Sequence, residues 1–500
     1  MATEFVPHPL VGGLNLDSPS DSIRDGEVAD ANNFIFNRGR MKTRFGVTSN
    51  TLSGTGILTF ARYIAAPYGG GFVGALYYFM HSSANVVRFY IQGTGEITGA
   101  GTYTPMSSCV VNAAILFANQ INISRYMVGA ATYTVIAKEA RYVTGFNARA
   151  ITGGEASYAN RVSWSVVGDE TDFVGVGSGH TDLSDSATWI GGLGVLNDTL
   201  VICRPDGFHF GYPTGQGAMP YRFESRTRDG IGVHPWTRPT FFDDTLFFVG
   251  ADDVYLLSGQ GLKSIGGTNK NTILGYINNG VKVYECYATT RFSGETGVFL
   301  HLIPHWTYIG ASPYTRALNQ RARLPHLVYN LVEDKWMKFY YPGYFEGGFP
   351  AVYTDPSGPI SSDVVSRSLD FCIGGEGTQQ YYTLDSAVSL EEEAWVQSKT
   401  FLIGSPTRDM TLRRALLRYR DTGAHEVKVE CSADLNENRW GQEQVVAIGG
   451  KNDGKWKRKW VNLQGMGNDF EYRITVPPGN HLETNMIGGM YEPAPEYQGS

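Results

Sequence analysis

Few side chains in this 500-residue chain have the types and spacing for chemistry. His301 and His305 stand four apart, the separation that places two imidazoles on one helix face for a metal ion. Their segment, FLHLIPHW, is strand-like and contains Pro304, and same-face strand positions four apart lie about 13 Å from each other. No metal pair is expected there. Asp169 with Glu170 and Asp252 with Asp253 are adjacent carboxylates, the raw material of general acid–base catalysis. Both pairs sit in turn sequences, GDETD and GADDV, where Asx side chains bond their own backbone, so a structural role is expected. No G-x-S-x-G, H-E-x-x-H or G-x-x-x-x-G-K-[ST] occurs, and GVGSGH (175–180) and GMGND (465–469) lack the strand-to-helix context of a phosphate loop. No catalytic residue, metal or cofactor is assigned, and the chain is read as a non-enzyme.

The one dense cluster is KNDGKWKRKW, with Lys451, Lys455, Lys457, Arg458 and Lys459 interleaved by Trp456 and Trp460. In a strand, Lys455, Lys457 and Lys459 project to one face, and Trp456, Arg458 and Trp460 to the other. Two readings stay open: a solvated edge whose tryptophans pack on a sheet, or a candidate docking row (Lys455, Lys457, Arg458, Lys459) for acidic protein or DNA phosphates. The turn SADLNENRW (432–440) resembles a degenerate Asp-box, with Asn436 in place of glycine and Trp440 one residue late. A glycan-cleaving protein also needs a converging acidic pair, and none can be nominated. The alternative function is that of a glycan-binding or glycan-cleaving protein on a virus or cell surface, in which Trp306, Trp336 and Trp395 are the candidates for stacking on sugar.

The elements that must position these residues are strands. Aromatics make up 13% of the chain and charged residues 18%, with 61 Gly, a composition of short strands and tight turns. The net charge of −7 argues against a surface that grips nucleic acid throughout. Five cysteines, 109, 203, 286, 372 and 431, never form a C-x-x-C pair, which fits folding in a reducing cytosol. The opening MATEFVPHPL has no apolar signal region, and no run approaches 18 apolar residues, so neither secretion by that route nor membrane insertion is expected.

The chain repeats itself. LNDTLVICRPDGFHF (196–210) overlays FDDTLFFVGADDVYL (242–256) without a gap, matching Asp198, Thr199, Leu200 and Asp206 to Asp244, Thr245, Leu246 and Asp252. Weaker relatives lie at 74–93, 114–129, 160–173, 326–340 and 369–385, with a wider gap at 260–325 holding its own strand pair. This period predicts propeller blades: an all-β chain with a β-propeller of six or seven blades at 51–400. An amphipathic segment at 389–399 is read as a helix or a charged linker. A C-terminal antiparallel β-sandwich is expected at 401–491, a tail at 492–500, and, because residues 1–50 are polar, an extended N-terminal arm that lies along a neighbouring domain, another subunit or an adaptor, with a flexible tail as the alternative.

The stretch Gly12-Gly13, Asp25-Gly26-Glu27, Asn32-Asn33, Gly39-Arg40, Arg44, Gly46 resembles the opening of tail hub or nozzle proteins of short-tailed bacteriophages, also called packaged-DNA stabilisation or tail tubular proteins. The resemblance continues in order through the two copies of the repeat, HLVYNLVEDKWMKFYYPGYFEGG, RRALLRYR and YRITV. It implies a structural virion subunit, made in the host bacterial cytoplasm, that forms a homohexameric ring in the viral tail. That ring would lie below a head-to-tail adaptor, contact fibre, spike or plug proteins, and pass double-stranded DNA during ejection without reading its sequence. It also implies that Gly12, Gly13, Asp25, Glu27, Asn33, Arg40 and Arg44 make assembly contacts.

Overall fold

A computed structural model describes residues 3–51, 57–68, 71–81, 87–91, 94–97, 106–217, 219–226, 230–235, 237–242, 244–278, 283–305, 325–340, 345–352, 369–375, 380–387, 392–403, 409–433, 440–441 and 443–494. Among these, helix is confined to Gly267–Asn269 and Lys270–Ile277.

Six small four-stranded sheets stand in a ring, the arrangement of a β-propeller, and a larger five-stranded sheet shares the ring. In chain order the innermost strands are Ile57–Tyr68, Ser107–Val111, Tyr142–Phe146, Gly192–Leu196, Thr240–Phe242, Val283–Phe292 and Phe345–Val352. Each contacts the next, and the last contacts the first. We number the sheets as blades 1 to 7 in this order. Blade 6, the five-stranded sheet, occupies the wide gap in the repeat, and its long pair Val283–Phe292 and Glu295–His305 is the expected extra hairpin. Blade 7 takes its outermost strand, Gly46–Thr51, from the other end of the chain, which ties the ring shut.

The local sequence explains the blades. A second strand in each blade is covered on both faces by neighbouring sheets, so it is a continuous apolar run instead of an alternating one. Thr199–Arg204 and Thr245–Val249 are such strands in adjacent blades 4 and 5, and Leu200 to Cys203 and Leu246 to Val249 are all fully buried. The 46-residue echo is therefore a blade repeat. Asn197 and Asp198 both take positive φ, 47° and 55°, as a two-residue hairpin requires and as Asn and Asp tolerate. One weaker relative differs from expectation: Arg161–Trp164 pairs with Gly179–Asp182, leaving 165–178 as a long loop instead of half a hairpin.

The sandwich corrects the expected boundaries. One of its two seven-stranded sheets holds Glu4–Pro9, Phe34–Asn37, Arg40–Thr43, Met410–Arg420, Trp456–Val461, Gly465–Gly467 and Glu483–Pro493; the other holds Gly13–Leu14, Glu27–Asn32, Ala394–Ser398, Phe401–Leu402, His425–Ala433, Gln444–Ile448 and Asp469–Val476. Residues 4–43 are thus not an extended arm. Glu4 faces Tyr491 and Val28 faces Ser398, and Val28, Ala31, Phe34, Ile35, Phe36 and Met41 enter the shared core. Their few apolar side chains suffice because the far end of the chain supplies the rest. Ala394–Ser398 is a sandwich strand, neither helix nor linker, and Glu483–Pro493 runs past the expected end at 491. Residues 495–500 of the expected tail lie outside the described residues.

Candidate assembly surfaces

The seven N-terminal residues expected to touch another subunit are mostly spent within their own chain. Gly12 donates its N–H to the carbonyl of Gly26 at 2.6 Å, and a Cβ on Gly12 would meet the Glu27 nitrogen at 2.5 Å, so only glycine fits. Gly13 runs parallel to Glu27, whose carboxylate accepts from Asn15 Nδ2 at 2.8 Å. Asn33, at φ 60°, is fully buried. Its Nδ2 donates to the Glu393 carbonyl at 3.0 Å, and its Oδ1 accepts from Arg44 Nε and from the Tyr340 N–H, both at 3.1 Å. Arg44 is also buried and donates to the carbonyls of Phe45 and Tyr340.

Arg40 and Lys42 converge on Glu295 of blade 6 at 3.2 and 2.5 Å, and Arg40 also reaches Glu483 at 2.8 Å. Asn37 Nδ2 adds a bond to Glu295 at 2.7 Å. The surrounding cations and Asn37 hold the Glu295 carboxyl below its ordinary range despite burial. Asp17 caps the helix Lys270–Ile277 from a distance, accepting from the Asn271 and Thr272 N–H groups at 2.8 and 2.9 Å. Of the seven residues only Asp25 stands well exposed, and it pairs with Lys399 at 2.7 Å. The buried Asn33 and Arg44 cannot serve another subunit; they fasten the sandwich to blade 6.

The lysine row also needs correction. Trp456–Val461 is an edge strand paired to Met410–Arg420, with Tyr419 opposite Lys457 and Leu417 opposite Lys459. The faces alternate as expected, but Lys457 turns inward to pair with buried Asp421 and reaches Asp453 at 3.5 Å. Lys457 and three backbone N–H groups hold the Asp421 carboxyl far below its ordinary range. Lys457 is therefore a structural cation, while Lys455 and Lys459 remain exposed. The opposite face meets solvent as well: Trp456 and Trp460 are 39% and 44% exposed with Arg458 between them. Phe5 lies across Gly488, where a Cβ would meet its ring at 2.7 Å, and contacts Trp460 edge-on at 6.1 Å. Arg418 stacks on Trp456 at 5.0 Å.

The acidic pairs are structural, as their turn sequences predict. Asp169 accepts from Thr171, Glu170 pairs with Arg125 at 2.7 Å, Asp252 accepts from the Tyr255 hydroxyl, and Asp253 accepts from Ser264 and the Gly266 N–H. His301 contacts His326 at 3.0 Å and Thr289 at 2.9 Å in the interior of blade 6. Burial pushes His326 down to about 3 and His301 well below its ordinary value. No group of three metal-ligating side chains occurs among the described residues. Trp336 is buried and donates to the Ile265 carbonyl at 2.7 Å, Trp395 lies between Lys338 and Arg473, and Trp306 and the centre of the Asp-box turn, 434–439, fall outside the described residues.

One surface escaped the sequence reading. Within the loop 165–178, Val174 and Val176 are 96% and 100% exposed. The signal available was a pair of valines between glycines, VGVG, directly after two Asx turns.

No family model matches the chain, and no curated protein matches it. Similar solved structures include the extracellular domain of a hybrid two component system from B. thetaiotaomicron, at 7% identity and TM-score 0.37, covering 83% of this chain and 47% of that one. The N-terminal domain of Nup159 is similar at 8% identity and TM-score 0.37, covering 68% of this chain and 95% of that one. Dihydro-heme d1 dehydrogenase NirN is similar at 12% identity and TM-score 0.36, covering 78% and 74%. This chain thus spans about half the length of the first of these structures, and likenesses so slight carry no function to it.

Proposed function

We propose that the chain is a structural virion protein, a tail hub or nozzle subunit that assembles with copies of itself into a ring below a head-to-tail adaptor and lets double-stranded DNA pass without binding its sequence. The observation that carries this reading is the resemblance that runs in order from Gly12 to Val476. Charge supports it. The span 46–393, within which the described propeller strands lie, carries 29 acidic and 22 basic side chains, whereas 1–45 and 394–493 carry 18 and 19. A propeller with excess negative charge repels phosphates, so DNA would slide past instead of sticking. The way the sandwich is fastened to blade 6 supports it too, because a subunit that bears pressure from packaged DNA needs domains that do not swing.

The test is the mass and shape of the purified full chain, alone and with the adaptor of a short-tailed phage, by light scattering and negative-stain imaging. A closed ring of about six copies with a central opening is expected, together with no retention of linear duplex DNA at physiological salt. A chain that stays single in the presence of adaptor, or that retards duplex DNA tightly, overturns the reading.

A further inference from the structure

Among the described residues, two of the surfaces that display apolar side chains to water are held by ordered contacts and carry opposite charge. The first is the loop 165–178 of blade 3. Buried Arg149 donates to the carbonyls of Ser165 and Gly177 at 2.5 and 2.6 Å. The Asp172 carboxylate accepts from the N–H groups of Val174 and Gly175 at 2.9 and 2.7 Å, and Phe173 packs on the core between blades 2 and 3. Ser178 closes a turn on the Gly175 carbonyl. With its backbone so held, the loop presents Val174 and Val176 at almost full exposure and carries the exposed carboxylate of Asp169. A large apolar residue singly at the surface is ordinary; two at full exposure on a fastened loop are what a contact surface needs, because little entropy remains to be lost on docking.

The second surface is the outer face of the first sandwich sheet. Cross-strand registers place Phe5 with Met490 and Arg414, Trp460 with Leu416, and Arg458 with Arg418 on one side of the sheet. Trp, Arg, Met and Phe are the side chains enriched at the centres of protein interfaces. Among the described residues no carboxylate pairs with Arg414, Arg418 or Arg458. This face is aromatic and cationic, whereas the loop is aliphatic and anionic.

One copy cannot join its own two surfaces. The sandwich packs against blade 6 through residues such as Asn37 and Glu295, and blade 3 is three positions away around the ring. We infer that the Val174–Val176 loop of one copy docks on the Phe5, Trp456 and Trp460 face of a second copy, with Asp169 facing the unpaired arginines. Because the two patches differ, the contact is head-to-tail and propagates from copy to copy, closing into a ring when the rotation allows. The inference deepens the ring-subunit reading and rests on its premise that copies of the chain meet.

The experiment is light scattering of the full chain over a range of concentrations and salt, comparing the native protein with Val174→Asp/Val176→Asp and with Arg458→Glu/Trp460→Ala. Each double variant is expected to raise the concentration of half-assembly by roughly tenfold or more, as loss of a central interface anchor does, with an unchanged melting temperature. Mixing the two variants should give pairs and nothing larger, since each retains one intact patch. Val174→Ser/Val176→Ser serves as the milder loop variant should the aspartates disturb folding, and mixed Val176→Cys and Arg458→Cys chains should cross-link to each other under mild oxidation. Native assemblies that ignore both double variants overturn this contact while leaving the ring reading standing. A native chain that stays single at every concentration overturns the second-copy assignment, and persistence of single chains with adaptor present overturns the ring reading with it.

Discussion

The propeller and the sandwich are both antiparallel β structure, yet they are assembled from the chain in opposite ways. A blade such as blade 4 is four successive strands within 192–226, each paired to its sequence neighbour. The sandwich pairs Glu4 with Tyr491 and Asp30 with Gln397, and it reaches into blade 6 through Arg40, Lys42 and Arg44. Blades depend on local turns and on stacking against the next sheet. The sandwich depends on two chain ends meeting and on a few buried polar contacts at its base. Damage to one blade should therefore stay proportionate to the side chain lost, whereas damage at the sandwich base should uncouple whole elements.

The largest effect expected is at Glu295. Glu295→Ala leaves buried Lys42 without its carboxylate and Arg40 with Glu483 alone, and removal of one partner from a buried ion pair costs about 3–5 kcal/mol. Chemical denaturation should show this loss, and strands 4–43 should lose hydrogen-exchange protection before the blades do. Equal loss of protection everywhere would remove the distinction between the two regions.

Leu200→Ala in blade 4 should cost about 3 kcal/mol, the price of a cavity in a close-packed strand, because Leu200 is fully buried between sheets. Leu246→Ala, its counterpart in blade 5, should cost a similar amount by thermal or denaturant melting. Widely different costs would show that the two repeats are not energetically equivalent.

Acid should weaken blade 6. His326 is held near 3 in the folded chain against 6.5 when unfolded, so both states are neutral above about pH 7. As pH falls below 6.5 the unfolded state binds a proton that the folded state refuses, and stability declines until the folded imidazole titrates near 3. By pH 5 the loss from His326 alone is about 2 kcal/mol, and His301 shifts in the same direction. His326→Gln should flatten the slope of stability between pH 7 and pH 5; an unchanged slope would assign the acid sensitivity elsewhere.

The smallest effect is expected at the exposed edge. Lys459 lies on the edge strand and Lys455 immediately before it, both exposed, and at such positions a single substitution to Glu changes stability by less than about 0.5 kcal/mol. Melting curves that overlay the parent would sharpen the contrast with Lys457, whose partner Asp421 is buried.

Much of the propeller is legible before any coordinates exist. Asn197-Asp198 can be read as a hairpin turn, the LVIC and LFFV runs as strands covered on both faces, and the echo between them as a blade repeat, because each inference needs only neighbours in sequence. Arg40 and Arg44 are singled out by the resemblance, but not what they hold. The partners are Glu295, Glu483 and Tyr340, hundreds of residues away. Lys457 and Lys459 look alike in the KWKRKW strand, and only the position of Asp421 separates the structural cation from the exposed one.

By itself the sequence determined the all-β class, the repeat, the turns and the alternation of faces along the edge strand. Those follow from backbone sterics and side-chain period, which act over a few residues. Only the tertiary structure decided that residues 4–43 are sandwich strands instead of an arm, that the tryptophans of Trp456–Val461 face water, and that Val174 and Val176 stand fully exposed. The physical reason is that burial is a property of what arrives from elsewhere in the chain: a largely polar stretch becomes core when the other end covers its apolar side chains, and two valines become a surface when nothing does.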